Sequence, residues 1–183
     1  MYSSLQRLSN ASALATTVLL ALLAAISATT FILPADVAST SPSLGVSHLN
    51  VLMGRSHSPY SRQAKEREFA FLKFDLKADL RPLFNWNTKQ VYVSLVADYS
   101  TPKYPANTVV VWDRIVRSPK FARLNVQDGK QKYEFKEITD TFRNTSATFS
   151  LHYQIQPYVG ALTAGEVVRT EAVPFPPVKR RSQ

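Results

Sequence analysis

From Leu8 to Ala35 the chain carries no charged side chain; Arg7 is the only charge before this run and Asp36 the first after it. Few folds accept such a segment. At 1.5 Å per helical residue, about 20 residues cross a bilayer core of roughly 30 Å, and Ala13 to Leu33 is long enough to do so. A secretory signal peptide starts the same way but has a shorter apolar part, about 7 to 15 residues, closed by a small-x-small cleavage site. Ala25-Ile26-Ser27 is such a site, yet Phe31-Ile32-Leu33 carries the apolar run on to Pro34, where a helix breaks. A retained anchor is therefore the stronger reading and a cleaved signal the second. A buried soluble helix fits poorly at this length and Ala/Leu composition. Positive charge near an apolar span tends to stay in the cytosol, so Arg7 votes for a cytosolic N-terminus. Both leading readings place the residues after 36 in the lumen of the secretory pathway.

Of the 22 basic residues only Arg7 precedes Asp36, leaving 21 against 13 acids and a net charge of +8 in the remainder. That remainder, about 148 residues, is the size of one domain with a full core. It has no cysteine, so no disulfide can staple it even in an oxidising lumen, and packing must hold it together.

The remainder reads as strands. Ala147 to Gln156 alternates apolar and polar for ten residues, and Phe69 to Leu80 sets Ala70, Leu72, Phe74, Leu76, Ala78 and Leu80 on one face against Lys73, Asp75, Lys77 and Asp79 on the other. Val91 to Tyr99 and Val109 to Val116 are Val-rich and partly apolar on both faces, as central strands are. Val46 to Met53, Phe121 to Val126, Gln131 to Glu137 and Glu166 to Val173 are further candidates. Turns are expected at Pro102 to Pro105, Asp128-Gly129 and Pro157 to Gly160, and a loop or helical turn at Arg81 to Asn87. The fold class predicted is all-β, an antiparallel sandwich behind a single N-terminal transmembrane helix. The expected division is a cytosolic segment at 1–12, the anchor at 13–33, a stalk at 34–45, the lumenal domain at 46–178 and a basic tail at 179–183.

Catalytic chemistry has little to stand on. The histidines are His48, His57 and His152. Ser56-His57-Ser58-Pro59 invites a serine-hydrolase reading, but a triad needs a placed Ser, a His in reach and an orienting acid, and a polar loop explains the stretch more simply. His48 and His152 fall on polar-facing strand positions. No metal-ligand spacing, phosphate loop or dinucleotide fingerprint is present, so no cofactor or metal is expected. Basic residues alternate with acids, as in Lys65-Glu66-Arg67-Glu68, which does not make a nucleic-acid face. Lys179-Arg180-Arg181 is the exception, a solvated tail or a contact for anionic lipid or an acidic partner.

Asn144-Thr145-Ser146 is an N-glycosylation acceptor triplet in a turn-like context just before a strand, on the segment expected in the lumen. Asn10-Ala11-Ser12 is a second triplet, on the cytosolic side of the anchor, where it should stay bare. Of the two tryptophans, Trp112 lies in an apolar strand and reads as core, whereas Trp86 sits in the polar loop Asn85-Trp86-Asn87, where an exposed aromatic can anchor a partner.

With a short N-terminus, one apolar span and an all-β remainder, Phe84-Asn-Trp-Asn-Thr-Lys-Gln90 leading into Val91 to Thr101 resembles the third-subunit family of the eukaryotic signal peptidase complex. The likeness continues in Asn107 to Val116, Arg143 to Leu151 and Val173 to Pro176, in the family's order and over nearly the whole chain. Asn85 departs from the Asp more usual in the family, and the basic tail is not a family requirement, so no role is carried to Asn85 or to Lys179 to Arg181. The resemblance implies a glycosylated, non-catalytic subunit of the endoplasmic reticulum membrane, single-pass type II, near the translocon. Its partners would be the catalytic serine protease subunit and the other small membrane subunits, which it supports in cutting signal peptides. A stand-alone tethered domain that binds peptide or carbohydrate is the alternative left by the residues alone. The resemblance also asks how the anchor escapes cleavage: an apolar run continuing to Leu33 would hold the Ala25-Ile26-Ser27 site inside the membrane.

Overall fold

Ala and Leu are strong helix formers, and no proline interrupts the chain before Pro34. In the computed structural model, helix α1 accordingly runs Ser4–Ile32. The structure describes residues 3–32, 37, 40–58, 61–137 and 141–180; for Phe31, residues 56–58 and 61–65 and Arg180 the description is of the backbone alone. Within α1, Ser4–Thr30 is long and apolar enough to cross a membrane, and its side chains are exposed as far as Ala25. The Thr16 and Thr17 hydroxyls donate to the carbonyls of Ser12 and Ala13 at 2.9 Å, which hides their polarity against the helix's own backbone.

The strands are β1 (Ser43–Ser58), β2 (Ser61–Asp79), β3 (Thr88–Tyr99), β4 (Asn107–Val116), β5 (Arg123–Lys130), β6 (Phe135–Lys136), β7 (Ser146–Pro157), β8 (Thr163–Arg169), β9 (Val173–Pro174) and β10 (Lys179–Arg180). They form two sheets. One has the order β10-β1-β2-β5 with β6 also beside β2; the other has β4-β3-β7-β8 with β9 beside β7. All pairings are antiparallel except β1 with β10. The antiparallel sandwich expected from the alternation is the fold.

Each sheet turns its apolar face inward. Ala70, Leu72, Phe74 and Leu76 of β2 are buried with Val91, Val93 and Leu95 of β3 and Phe149 and Leu151 of β7. Each such Leu or Phe contributes about 1.5–3 kcal/mol by leaving water. Trp112 on β4 is partly buried and meets Phe74 edge-on, ring centroids 5.6 Å apart, tying the sheets together.

Several sequence expectations change. Asp128-Gly129 lies inside β5, not at a turn: β5 has one more residue than β2 between Phe74↔Gly129 and Leu76↔Val126, a bulge in which Asp128 takes φ 50° and its N–H donates to Asp75 Oδ1 at 2.8 Å. A Cβ on Gly129 would stand 2.5 Å from Val126 Cγ1 and 3.1 Å from Phe74, so glycine there is a packing requirement. Strand pairing in 131–137 is confined to Phe135–Lys136, because Gln131 instead caps β2, accepting from Leu72 N–H and donating to the Ala70 carbonyl. Lys132 and Tyr133 both donate to the Val111 carbonyl. The segment 166–173 divides between β8 and β9, and Phe121 falls in a 3-10 turn, Pro119–Phe121. β4 is an edge strand with Val110 and Ile115 exposed, so its double-sided apolar pattern does not mark a central strand. β1 begins at Ser43, within the stretch expected as stalk, and Lys179–Arg180 of the expected tail pairs in parallel with Leu52 and Met53.

Candidate functional site

Among the described residues, serine, histidine and acid do meet once. Ser150 Oγ lies 2.9 Å from His152 Nε2, and Glu166 Oε2 lies 4.0 Å from that same nitrogen. A charge-relay arrangement needs serine and acid on opposite ring nitrogens, whereas here both compete for one. Ser150 is also fully buried. This cluster is a cross-strand polar contact between β7 and β8, with Glu166 held below the usual carboxylate range by Arg169, whose guanidinium donates to it at 2.7 and 3.0 Å. His48 lines a shallow cavity of about 510 Å³ on the outer face of β1 and β2 with Phe71, Lys130 and Tyr133. The side chains of Ser56-His57-Ser58 and the residue Pro59 lie outside the described residues. Among the described residues no group of three or more His, Asp or Glu is placed to hold a metal.

Several surface charges are paired locally: Lys73 with Asp128 at 2.7 Å, Lys132 with Asp113, Arg81 with Asp79 at 2.6 Å. The Arg81 guanidinium and its backbone N–H hold Asp79 down to about 2, against the desolvation that would raise it.

The most organised polar cluster joins α1 to the domain. After the 3-10 turn Arg81–Leu83, the Asn85 side chain accepts from Asn87 N–H at 2.9 Å and from the Thr88 hydroxyl at 3.0 Å. This local turn aims the Asn87 side chain inward, where it is 2 % exposed. Asn87 Nδ2 donates to Thr30 Oγ1 of α1 at 3.0 Å and to the Val159 carbonyl at 2.8 Å, its Oδ1 accepts from Val159 N–H at 3.2 Å, and its carbonyl accepts from Tyr158 N–H at 2.8 Å. Beside it Gly160 takes φ 114°, and a Cβ there would stand 2.7 Å from Ser27 Oγ and 3.3 Å from Ser27 Cα. Only glycine permits both the backbone angle and the approach of the helix. Trp86 points away from this clamp and is 61 % exposed. Asn87 was not a candidate from sequence; the signal available was the Asn-x-Asn-Thr turn.

Asn144 stands at the other end of β7, whose 12 residues span about 35–40 Å. It is exposed, in a tight turn with φ 57°, held by Thr145, whose N–H and hydroxyl both donate to the Phe142 carbonyl. Beneath it, Tyr99, Phe135, Phe142 and Phe175 form a ring cluster with centroids 4.4–6.3 Å apart. Two buried acids are satisfied there: Glu68 accepts from Phe142 N–H at 2.6 Å and Glu137 from the Tyr99 hydroxyl at 2.7 Å. Burial, then the Glu137 carboxylate, push the Tyr99 phenol well above its ordinary value.

The family described as "Signal peptidase subunit" matches residues 1–178, helix and sandwich together. "Signal peptidase complex subunit 3" of Saccharomyces cerevisiae is 44% identical over 109 residues, 59% of either chain. The protein of that name from Yarrowia lipolytica is 34% identical over 184 residues, which cover 96% of this chain and 98% of that one. The Caenorhabditis elegans counterpart is 34% identical over 129 residues, 70% of this chain and 72% of its own.

Proposed function

Because the chain belongs to the signal peptidase subunit family, we propose that it is the non-catalytic third subunit of the signal peptidase complex and supports a separate serine protease subunit that cuts signal peptides. The observation that carries this reading is the extent of the match, which runs through α1 and the sandwich alike and so includes both the anchor and the part that would pack on the protease. α1 crosses the endoplasmic reticulum membrane as a type II signal anchor, near the translocon. Arg7, the only charge before the span, supports a cytosolic N-terminus, and the exposed turn at Asn144 supports a glycan on a lumenal domain. The sandwich acts as a scaffold: it contributes a fixed surface at a set distance from the bilayer, not a reacting group.

Purification of the tagged full chain from membranes in mild detergent, with mass spectrometry of everything retained, tests the reading. The expected result is a small serine protease subunit, the uncut N-terminal peptide and a glycan on Asn144 with Asn10 bare. A lone protein starting near Ala28 would overturn it.

A further inference from the structure

Two loops meet α1 at its C-terminal end, and both lack charge. Between Arg81 and Lys89 lies Pro-Leu-Phe-Asn-Trp-Asn-Thr, and residues 153–165 contain no charged side chain either, although the domain as a whole is strongly basic. Each loop exposes large apolar groups: Trp86 is 61 %, Tyr158 67 % and Leu162 59 % exposed. These residues flank Asn87 and Gly160, which meet the helix at Thr30 and Ser27, and Val159, which is bonded to Asn87. The grip lies below the top of the apolar span, since Ser27 is five residues, about 7–8 Å of helix, before Ile32.

From this we infer that the clamp holds the sandwich down on the membrane, with Trp86, Tyr158 and Leu162 inserted among the lipid headgroups and upper acyl chains. The inference rests on α1 spanning a bilayer. Given that, the depth is dictated by the helix: loops fixed beside Ser27 and Thr30 stand within the layer, about 5–10 Å deep, that amphipathic surface elements occupy. Trp and Tyr favour that layer because each joins an apolar ring to a polar tip. Charged side chains are costly in its acyl part, and these loops have none. Loop backbone is tolerated near lipid only when its polar groups are bonded. The Asn87 side chain and carbonyl, with the N–H groups of Tyr158 and Val159, are bonded among themselves. The occupant of this apolar surface is therefore the bilayer itself, continuous with the lipid around α1.

The test is fluorescence of the full chain in phosphatidylcholine nanodiscs, with the Trp86 signal taken as the difference between the wild type and Trp86→Phe. Trp86 is exposed, so its replacement leaves the core intact. The expected signal is blue-shifted, loses most of its intensity when the lipids are brominated near the headgroup, and resists aqueous iodide. A Leu20→Trp change in the Trp86→Phe background reports separately on the span, through lipids brominated near the midplane. If that probe is quenched while the Trp86 signal is red-shifted and answers to iodide alone, the inference is overturned and the span stands. If the Leu20→Trp probe is untouched by lipid, the spanning reading has failed and the inference with it. A Trp86 signal in the purified complex that answers to neither quencher would mean a protein partner covers this pole, which also overturns it.

Discussion

The two ends of the sandwich are built from the same strands and finished with opposite chemistry. At the helix end, uncharged loops expose Trp86, Tyr158 and Leu162, and one buried amide, Asn87, ties two loops to α1. At the far end, the exposed turn at Asn144 lies over four packed aromatic rings and two buried, bonded carboxylates. β7 runs between them. Strand pairing alone would serve either end equally, so the contrast shows that attachment is carried by loop residues and stability by what the strands bury.

The largest effect is expected where burial is deepest. Phe142→Ala removes a ring that is 1 % exposed and touches three other aromatic rings, which should cost about 3–5 kcal/mol. Urea unfolding of the full chain in detergent checks this, and an unchanged midpoint would mean the cluster is not core. Asn87→Ala strikes the opposite end. It leaves Val159 N–H and Thr30 without their partner, a loss of about 1–3 kcal/mol, and it frees α1 from the domain. The sharper readout is at the Ser27-Ala28 bond, whose Ser27 side lies against Gly160 in the wild type: in cells the variant should yield chains beginning at Ala28, and an intact N-terminus at wild-type level would show that the clamp is not what guards the bond.

A smaller effect separates electrostatics from packing. Asp79 is held down to about 2, so its contribution to stability is present above the ordinary carboxylate value and lost as pH falls through that depressed value. Asp79→Ala should therefore lower stability at neutral pH by no more than about 1 kcal/mol, the pair being partly exposed and screened. The gap from the wild type should close between pH 3.8 and about 2; a gap constant across that window would argue for packing instead. The smallest stability change is expected for Ser146→Ala, within about 0.5 kcal/mol because Ser146 is exposed. The same change should abolish the glycan mass at Asn144, and a persisting glycan would place the modification elsewhere.

Much of this was legible beforehand where a residue's partner is simply water, lipid or core. The strands at 69–80 and 147–156 announced themselves because their two faces meet different solvents, and α1 because nothing in it suits water. The turn at Asp128-Gly129 was misread, since the same residues serve a turn or a bulge and only the register against β2 decides between them. The apolar pattern of β4 suggested a central strand, yet β4 lies at an edge, because Lys132 and Tyr133 bond its Val111 carbonyl from outside the sheet. Trp86 was visible as an exposed aromatic, but its neighbour Asn87 was not visible as the clamp.

Composition and periodicity by themselves determined an apolar helix, an antiparallel all-β domain without disulfides, and an acceptor asparagine in a turn. These follow from side chain and local backbone alone. Tertiary structure decided that Asn87 meets Thr30 across 57 positions, that Gly160 must be glycine because a helix lies against it, and that the backbone of Lys179–Arg180 pairs with β1. Such contacts join residues far apart in the chain, and their energy exists only once the sheets have brought them together.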